Sequence, residues 1–310
     1  MTVMKKQTGN GIALAILAAS LYAINAPFSK LLLDYLPATL MAGFLYIGAG
    51  IGMIPVALVR KAGGRRTESK LTRAELPYTV GMIVLDIAAP ICLLIGLRST
   101  TAANAALLNN FEIVATALIA LLAFGERISP RLWTGIFFVT LSCAVLSFED
   151  PSGFRFSIGS LFVLLAAACW GLENNCTRKL SGKDPLEIVL LKGIFSGLGS
   201  IVIGLCLGER VTAAWSVIAA LGVGLLAYGM SIFVYVYAQR MIGAARTSAY
   251  YAVSPFIAAA FSFAVFREVP GTAYFAALAL MAVGAWLAAG DCPIFGIKKK
   301  VNDNGAHPQQ

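Results

Sequence analysis

The sequence predicts an all-α integral membrane protein with ten transmembrane helices, arranged as two inverted repeats of five helices each. Three observations predict this fold class. The composition is far more apolar than a soluble domain needs, with 59% hydrophobic and 13% charged residues among 310 and a mean hydropathy of +0.81. Apolar runs of membrane length recur along the chain, and the second half repeats the pattern of the first.

Each apolar run is about 20 residues long, which is enough to cross about 30 Å of hydrocarbon at about 1.5 Å per residue. The ten predicted spans are 11–33, 38–59, 77–97, 101–124, 132–148, 158–178, 187–207, 215–239, 246–266 and 271–290. The first run follows Lys5 and Lys6 and is longer than the core of a cleaved signal peptide. We therefore expect it to be a retained first helix.

The two halves of the chain align with each other at two nearly equal offsets. A shift of 142 positions superposes Phe124 on Phe266, and a shift of 148 positions superposes Pro37 on Pro185. The longer basic loop in the first half, around residues 60–76, accounts for the difference between the two offsets. A single duplication explains both alignments.

The predicted repeats cover residues 11–148 and 158–290, and a cytoplasmic tail follows over 291–310. Because five is an odd number, the second repeat must enter the membrane from the side opposite to the first. The repeats are therefore predicted to be inverted. Two such halves that rock around a site near the bilayer midplane are a recurrent arrangement of secondary transporters.

The basic residues indicate the orientation. Most of the 24 Lys and Arg residues flank the spans on the side that also holds both termini. The positive-inside rule therefore places both termini in the cytoplasm and predicts a multi-pass protein of the cell (inner or plasma) membrane. The net charge of +9 is also typical of proteins that bind nucleic acid, but its position beside the spans favours the lipid bilayer as the partner and excludes nucleic acid.

Polar side chains inside the spans mark the predicted site, because an ionisable group there costs roughly 2.5–3.5 kcal/mol to insert. The predicted substrate or ion cavity is lined by Asn25, Asp86, Asn109, Glu112, Trp170, Glu173, Tyr228, Tyr250 and Ser254. Lys192 lies at shallow depth, where it either pairs with an acid or reaches the interface. The alternative for each of these groups is hydrogen bonding that only holds the helices together.

Glu112 is predicted to be the acid on which function depends most. It lies about 16 Å below the end of the fourth span, near the midplane. A carboxylate is costly there when charged, so a proton or the amine of a substrate is expected to neutralise it in turn. Ala105, Asn109, Glu112 and Thr116 follow helical spacing, which predicts one polar stripe along a continuous fourth helix.

Other function classes lack their signatures in this sequence. No span contains a histidine, and no HExxH, GxSxG or GxxxxGK[ST] motif occurs, so we expect neither an enzyme nor an ATP-driven pump. No cofactor and no metal ion is expected, because the one histidine, His307, stands alone in the tail. Five of the six cysteines lie within spans, which predicts no disulfide framework.

Ten spans in two inverted repeats, together with several local motifs, resemble the drug/metabolite transporter superfamily, EamA type. The motifs are Glu126 and Glu268 at the ends of the two fourth helices, Trp170 within Ala-Ala-Ala-Cys-Trp-Gly, and Lys192 seven residues after Pro185. The first half departs from the family pattern, because Tyr22 and Phe44 stand where tryptophan and arginine are usual.

The resemblance implies a secondary transporter that works by alternating access and exports small metabolites such as amino acids or amine-bearing compounds. It also implies a cavity lined by helices 1, 3, 4, 6, 8 and 9, which carry the polar residues named above. The expected partners are the lipid bilayer and a small-molecule substrate, with or without H⁺, and the expected assembly is a monomer or homodimer. A multidrug or organic cation exporter and a passive facilitator channel remain the alternatives.

Overall fold

The structure is a computed structural model that describes residues 2–62, 71–125, 128–150, 155–180, 183–242, 250–251, 253–267 and 271–289. The predicted tail over 291–310 lies outside these ranges, as do Glu126 and Glu268. Helices dominate the described part of the chain. The physical reason is that backbone N–H and C=O groups in hydrocarbon need partners within their own segment or in a closed barrel.

The first half is built from helices that follow one another along the chain, most of them with short connections between them. These are α1 Thr2–Ala23, α2 Asn25–Leu32, α3 Ala38–Ala62, α4 Leu76–Arg98, α5 Ala102–Leu108, α6 Phe111–Phe124 and α7 Pro130–Ser147. A short 3₁₀ turn, Arg73–Glu75, precedes α4. Strand β1, Phe148–Asp150, then pairs antiparallel with β2, Arg155–Phe156, and this small hairpin connects the two halves.

The second half has the same character. Its helices are α8 Ile158–Leu180, α9 Pro185–Leu191, α10 Gly197–Cys206, α11 Ala214–Gly224, α12 Ser231–Ile242, α13 Ser254–Phe266 and α14 Thr272–Ala289. Two π-helical segments, Lys192–Ser196 and Leu225–Met230, connect α9 to α10 and α11 to α12 without a break in the helical path.

Eight stretches among the described residues are long and apolar enough to cross a membrane. They correspond to the first eight predicted spans. The remaining two apolar helices, α13 and α14, are shorter than that limit within the described residues. The chain is therefore an all-helical multi-pass membrane protein apart from the small hairpin.

Two of the predicted spans are interrupted, and the second interruption corrects the prediction of a continuous fourth helix. The first span breaks at Ile24, where Pro27 lacks the N–H that would bond to the Ala23 carbonyl one turn earlier. The fourth breaks at Asn109 and Asn110, where the backbone changes to tighter i to i−3 hydrogen bonds.

Helices of the first half pack mainly against helices of the second half. The most extensive contacts join α4 to α8, α7 to α14, α1 to α12 and α6 to α8, while α3 packs on α10 and α11. Helices α5 and α1 both contact α13. The core of the molecule therefore lies between the two halves of the chain.

Small residues allow the closest helix crossings, as the spacing of glycines in the second and seventh spans predicts. A Cβ atom added to Gly50 would lie 3.0 Å from the carbonyl carbon of Gly193, and one added to Gly197 would lie 3.0 Å from the Gly43 carbonyl oxygen. Gly48 instead meets the backbone of Leu221 on α11. The α3 helix is thus fixed against two neighbours at backbone distance.

Large apolar side chains cover the outward faces of the bundle. Leu122 is 82% exposed, and Val59 and Ile218 are each 73% exposed. In a soluble protein such side chains would form apolar patches open to water. In a bilayer they contact lipid tails, which are as apolar as leucine.

Candidate substrate and ion site

The buried polar side chains gather where the helices are irregular. Asn25 follows the break between α1 and α2, Asn109 lies in the break between α5 and α6, and Lys192 begins the first π-helical segment. Tyr228 lies inside the second π-helical segment. Irregular backbone at membrane depth is tolerated only where protein buries it or where it lines a cavity, and π segments frequently mark functional sites.

Three charged side chains form a set that we call the ionic triad: Asp86 on α4, Glu173 on α8 and Lys192. The Lys192 ammonium lies 2.6 Å from Glu173 Oε1 and 3.3 Å from Asp86 Oδ2. The side chains of Asp86 and Glu173 are 1% and 4% exposed, and that of Lys192 is 13% exposed. One cation therefore balances two buried carboxylates, which leaves a negative excess when all three are ionised.

Neighbouring hydroxyls complete the surroundings of the ionic triad. The Tyr46 hydroxyl on α3 donates to Asp86 Oδ1 at 2.8 Å, and the Thr177 hydroxyl donates to Glu173 Oε1. Asp86 Oδ2 is buried and receives no hydrogen bond from the described residues. Its contact is the ion pair with the Lys192 ammonium at 3.3 Å, which is longer than the 2.6 Å contact of the same ammonium with Glu173 Oε1, so this oxygen is the more weakly held of the two.

Glu112 occupies a separate position between α6 and α8. Asn174 donates from Nδ2 to Glu112 Oε1 at 2.5 Å, and the same amide lies 3.4 Å from Thr116 Oγ1. Asn175 bonds to the backbone carbonyls of Thr116 and Gly171 and so fixes the two helices against each other. The bond from Asn174 to the ionised Glu112 carboxylate is charge-assisted, and such bonds are stronger than those between neutral groups.

A neutral pair links α2 to the second half. Asn25 donates from Nδ2 to the Tyr228 hydroxyl at 3.1 Å and accepts from Ser29 Oγ at 3.0 Å. The Tyr228 ring lies 5.1 Å from the Tyr46 ring, measured between centroids, and Tyr46 in turn bonds to Asp86. Two hydrogen bonds and the ring contact between them therefore form a connected polar path from the helix break at Asn25 to the ionic triad.

A small cavity of about 30 Å³ lies beside this path and is lined by Tyr22, Asn25, Leu93, Asn109 and Ser254, among others. The Oδ1 atom of Asn109 is buried and has no hydrogen-bond partner among the described residues. A cavity of this volume has room for water but not for an organic substrate. Entry of a substrate here requires the surrounding helices to move.

Comparison with known proteins identifies the family. The profile of the EamA-like transporter family matches the chain twice, over residues 9–148 and 157–290. The chain belongs to the EamA-like transporter family. As an EamA-like protein it is a multi-pass membrane transporter, and transport is not an enzyme class.

Two relatives agree with this assignment. The EamA-like chain is 28% identical over 270 residues to a protein of Methanothermobacter thermautotrophicus named "Uncharacterized transporter", a match that covers 82% of this chain and 78% of the relative. It is 23% identical over 207 residues to "Uncharacterized transporter YyaM" of Bacillus subtilis, covering 64% and 68%. A solved structure titled "Crystal structure of protein" shares the fold, with a TM-score of 0.64 at 16% identity over 94% of this chain and 99% of that one.

The structure of the EamA-like chain brings most of the predicted site residues together. Asp86, Glu173, Asn25 and Tyr228 are all buried and belong to the connected polar path. Asn109 and Ser254 line the small cavity, and the Ser254 hydroxyl donates to the Ala19 carbonyl oxygen at 2.8 Å. Glu112 lies on the other side of the helix break, bonded to Asn174.

The two remaining predicted residues are aromatic. Trp170 is buried in the same apolar cluster as Tyr46 and Tyr228. Tyr250 is 38% exposed, whereas the next residue, Tyr251, places its ring 6.0 Å from the Tyr22 ring and 4.9 Å from the Tyr235 ring, measured between centroids. Consecutive helical positions point about 100° apart, so a shift of one position in register exchanges the inward and outward tyrosines.

The single polar stripe predicted for the fourth helix is likewise divided by the break. Sequence reasoning did not include Lys192, Tyr46, Asn174 or Tyr251 among the site residues. Lys192 carried a signal, because a lysine within an apolar span needs a carboxylate partner or a path to the interface. Tyr46 and Asn174 carried none, since neither an isolated tyrosine nor an asparagine identifies the side chain that it will meet.

Proposed function

We propose that this EamA-like chain is a secondary active transporter that exports small amine-bearing metabolites by alternating access between two inverted five-helix repeats. The observation that carries the proposal is the ionic triad together with Glu112. Three carboxylates and one lysine are gathered at the junction of the two halves, where helices are interrupted. Such a site has a negative excess that favours a cationic or zwitterionic ligand, and a costly charge in a membrane interior needs a function to explain it.

The contacts between helices support the inverted repeat. Under the sequence offsets, α4 corresponds to α12 and α8 to α1, and both α4–α8 and α12–α1 are extensive contacts. The α6–α8 contact likewise has its counterpart in α13–α1, while α3 with α10 and α7 with α14 join elements that correspond to each other. A two-fold axis in the membrane plane relates contacts in this way, and transporters use it to exchange an inward-open for an outward-open cavity.

The proposed orientation follows from the charges that flank the spans. Both termini lie on the cytoplasmic side of the cell membrane, in accord with the positive-inside rule. With this orientation, Asp86 and Glu173 lie on the cytoplasmic side of their symmetry mates Tyr228 and Asn25. Export then begins with capture of the substrate amine at the acidic half of the site and continues toward the neutral Asn25–Tyr228 pair.

A ligand screen followed by reconstitution tests this function. Purified protein is heated in the presence of amino acids, primary amines and organic cations, since a ligand that binds the folded state raises the melting temperature. The hit is then assayed for flux in liposomes with and without a pH gradient. We expect a primary amine or amino acid to stabilise the protein and its flux to respond to the gradient. Flux that equilibrates identically in both conditions contradicts active transport and favours a facilitator channel.

A multidrug or organic cation exporter is the second candidate, favoured by the aromatic rings around the site. The centroid of the Tyr22 ring lies 5.9 Å from that of Tyr228 and 6.0 Å from that of Tyr251, and Tyr46 adds a further ring beside Tyr228. Ring faces bind quaternary ammonium ions through cation-π contacts. Stabilisation by tetraalkylammonium ions in the same screen, without stabilisation by primary amines, would select this candidate.

A further inference from the structure

We propose that Lys192 is a tethered counter-cation, whose ammonium occupies the place that a primary ammonium of the substrate takes during transport. The inference rests on the proposed function and adds to it a chemical requirement, a primary ammonium group. It also gives the lysine a role in the transport cycle.

The geometry describes a site for one ammonium ion. The Nζ atom lies between Glu173 Oε1 at 2.6 Å and Asp86 Oδ2 at 3.3 Å, so a single –NH₃⁺ group serves both carboxylates. An ammonium has three N–H donors, which suits two acceptors and a third partner. A quaternary ammonium has no N–H group and cannot make such bonds. The site therefore distinguishes primary amines from quaternary amines.

The lysine fits this site imperfectly. Asp86 Oδ2 is buried, faces the ammonium, and still receives no hydrogen bond from the described residues. The ammonium is tethered to its own helix and lies 2.6 Å from Glu173 Oε1 but 3.3 Å from Asp86 Oδ2. A free alkylammonium is not held by a backbone and can orient its donors toward both acids, which gives Asp86 Oδ2 a hydrogen bond in place of the longer ion pair.

The Lys192 side chain can also move out of the site toward the membrane interface. Lys192 lies seven residues after Pro185, the first residue of α9, so its Cα atom is about 10 Å along the helix from that end. A lysine side chain on four methylene groups can carry its charge toward the interface while its stem stays in apolar surroundings. Its side chain is already 13% exposed, against 1% for Asp86.

Exchange of one ammonium for another keeps the charge of the site constant. Two carboxylates that lose their only cation would be left unpaired in a buried site, which is strongly unfavourable. With Lys192 seated, the unloaded transporter holds one cation against the two carboxylates and can change conformation without a bound ion. With substrate seated, the substrate ammonium supplies the same charge, and the lysine returns when the substrate leaves.

The test is chemical rescue of Lys192→Met with propylammonium, measured as binding to the full-length purified protein in lipid nanodiscs. This substitution keeps the length of the side chain and removes the ammonium, so the two acids are open to an external cation. We expect propylammonium to bind Lys192→Met at least tenfold more tightly than wild type and to raise its melting temperature by several degrees. Tetramethylammonium and Na⁺ at the same concentration should leave the melting temperature unchanged.

Two variants serve as controls. Lys183→Met removes a lysine that pairs with Glu75 at 3.0 Å outside the site, and it should bind propylammonium no better than wild type. The triple variant Lys192→Met, Asp86→Asn and Glu173→Gln has no acid in the site and should lose the gained affinity. Equal propylammonium affinity in wild type and Lys192→Met, or equal rescue by tetramethylammonium, overturns the proposal.

If Lys192→Met alone does not fold, the double variant Lys192→Met and Asp86→Asn takes its place, because it keeps the net charge of the wild-type triad. The double variant should bind propylammonium more tightly than the triple variant, and equal affinities contradict the proposal. These binding measurements require no transport. Amine flux through wild type without rescue of the lysine variant rejects the counter-cation alone, whereas rescue without any amine flux rejects the proposed function.

Discussion

At the scale of single residues, Glu112 and the ionic triad differ in how their charge is balanced. Asp86 and Glu173 share the ammonium of Lys192, whereas the Glu112 carboxylate is paired with the neutral amide of Asn174. Among the residues that the structure describes, no lysine or arginine forms an ion pair with Glu112, so a proton or a substrate amine can supply the balancing charge. This arrangement makes Glu112 the best candidate for coupling to H⁺.

Glu112→Gln tests that role. Glutamine keeps an oxygen that accepts from Asn174, so we expect the free energy of unfolding to change by less than about 1 kcal/mol. We expect substrate flux in liposomes to fall at least tenfold or to lose its dependence on pH. Glu75→Gln, at the end of the 3₁₀ turn, is the matched control and should transport normally. Unchanged flux with unchanged pH dependence would show that Glu112 only holds α6 to α8.

Tyr46→Phe tests the support of the triad from α3. The substitution removes the hydroxyl that donates to Asp86 Oδ1 at 2.8 Å and leaves a buried carboxylate oxygen without that donor. An unsatisfied buried acceptor costs about 1–3 kcal/mol, so the melting temperature should fall. Tyr35→Phe, at a side chain that is 44% exposed, is the control and should change stability by less than about 0.5 kcal/mol. Equal melting temperatures for the two variants would contradict the importance of this bond.

Sequence reasoning found the acids of the site because charge inside an apolar span is conspicuous. Asp86, Glu112 and Glu173 were predicted on that ground, and the structure buries the first and the last in one cluster. The choice between Tyr250 and Tyr251 could not be made in the same way. Both are tyrosines in an apolar context, and only the exact start of the helix decides which of them points inward.

At the scale of helices, the close crossings fix which elements can move relative to each other. The α3 helix meets α11 at backbone distance, with Gly224 against the Leu45 backbone and Gly48 against that of Leu221. Interfaces of this kind contain no flexible side chains that could yield. We therefore expect α3 and α11 to move together during transport.

Gly224→Ala tests this crossing, and Gly222→Ala on the same helix is the control. A Cβ atom at position 224 would lie 2.7 Å from the Leu45 carbonyl carbon, whereas one at position 222 has nothing within 4 Å. Gly224→Ala should lower the free energy of unfolding by about 1–3 kcal/mol through overpacking. Gly222→Ala should be neutral or stabilise by up to about 1 kcal/mol, because alanine favours helix over glycine. Equal melting temperatures for the two variants would refute the close crossing.

The helix interruptions could be predicted only in part. Pro27 predicts the break after α1, since proline has no backbone N–H to donate. The break at Asn109 and Asn110 has no such marker, because asparagine occurs within helices as well as in turns. The π-helical segments at Lys192 and Tyr228 depend on contacts with other helices, which local sequence does not contain.

At the scale of the whole molecule, the proposed inverted repeat predicts which ends of the helices share a side of the membrane. Arg98 and Arg240 are related by the offset of 142 positions, so the inverted arrangement places them on opposite sides. A parallel repeat would place them on the same side. The difference is open to direct measurement.

Single cysteines at these two positions, in a variant without native cysteines, are labelled with a membrane-impermeant maleimide in intact and in opened cells. We expect Arg98→Cys to react in intact cells and Arg240→Cys only after the cells are opened. Labelling of both from the same side would reject the inverted repeat. The prediction of two related halves rests on positions that the duplication left alike, such as Pro37 and Pro185.

Counterflow in liposomes tests whether the ionic triad is the substrate site of an alternating-access carrier. Vesicles are loaded with the unlabelled amine found in the ligand screen and diluted into buffer with a trace of labelled amine. We expect wild type to accumulate label transiently above equilibrium, and we expect the folded variant Asp86→Asn with Glu173→Gln not to do so. Simple equilibration of label by wild type, or undiminished counterflow by the double variant, would contradict it.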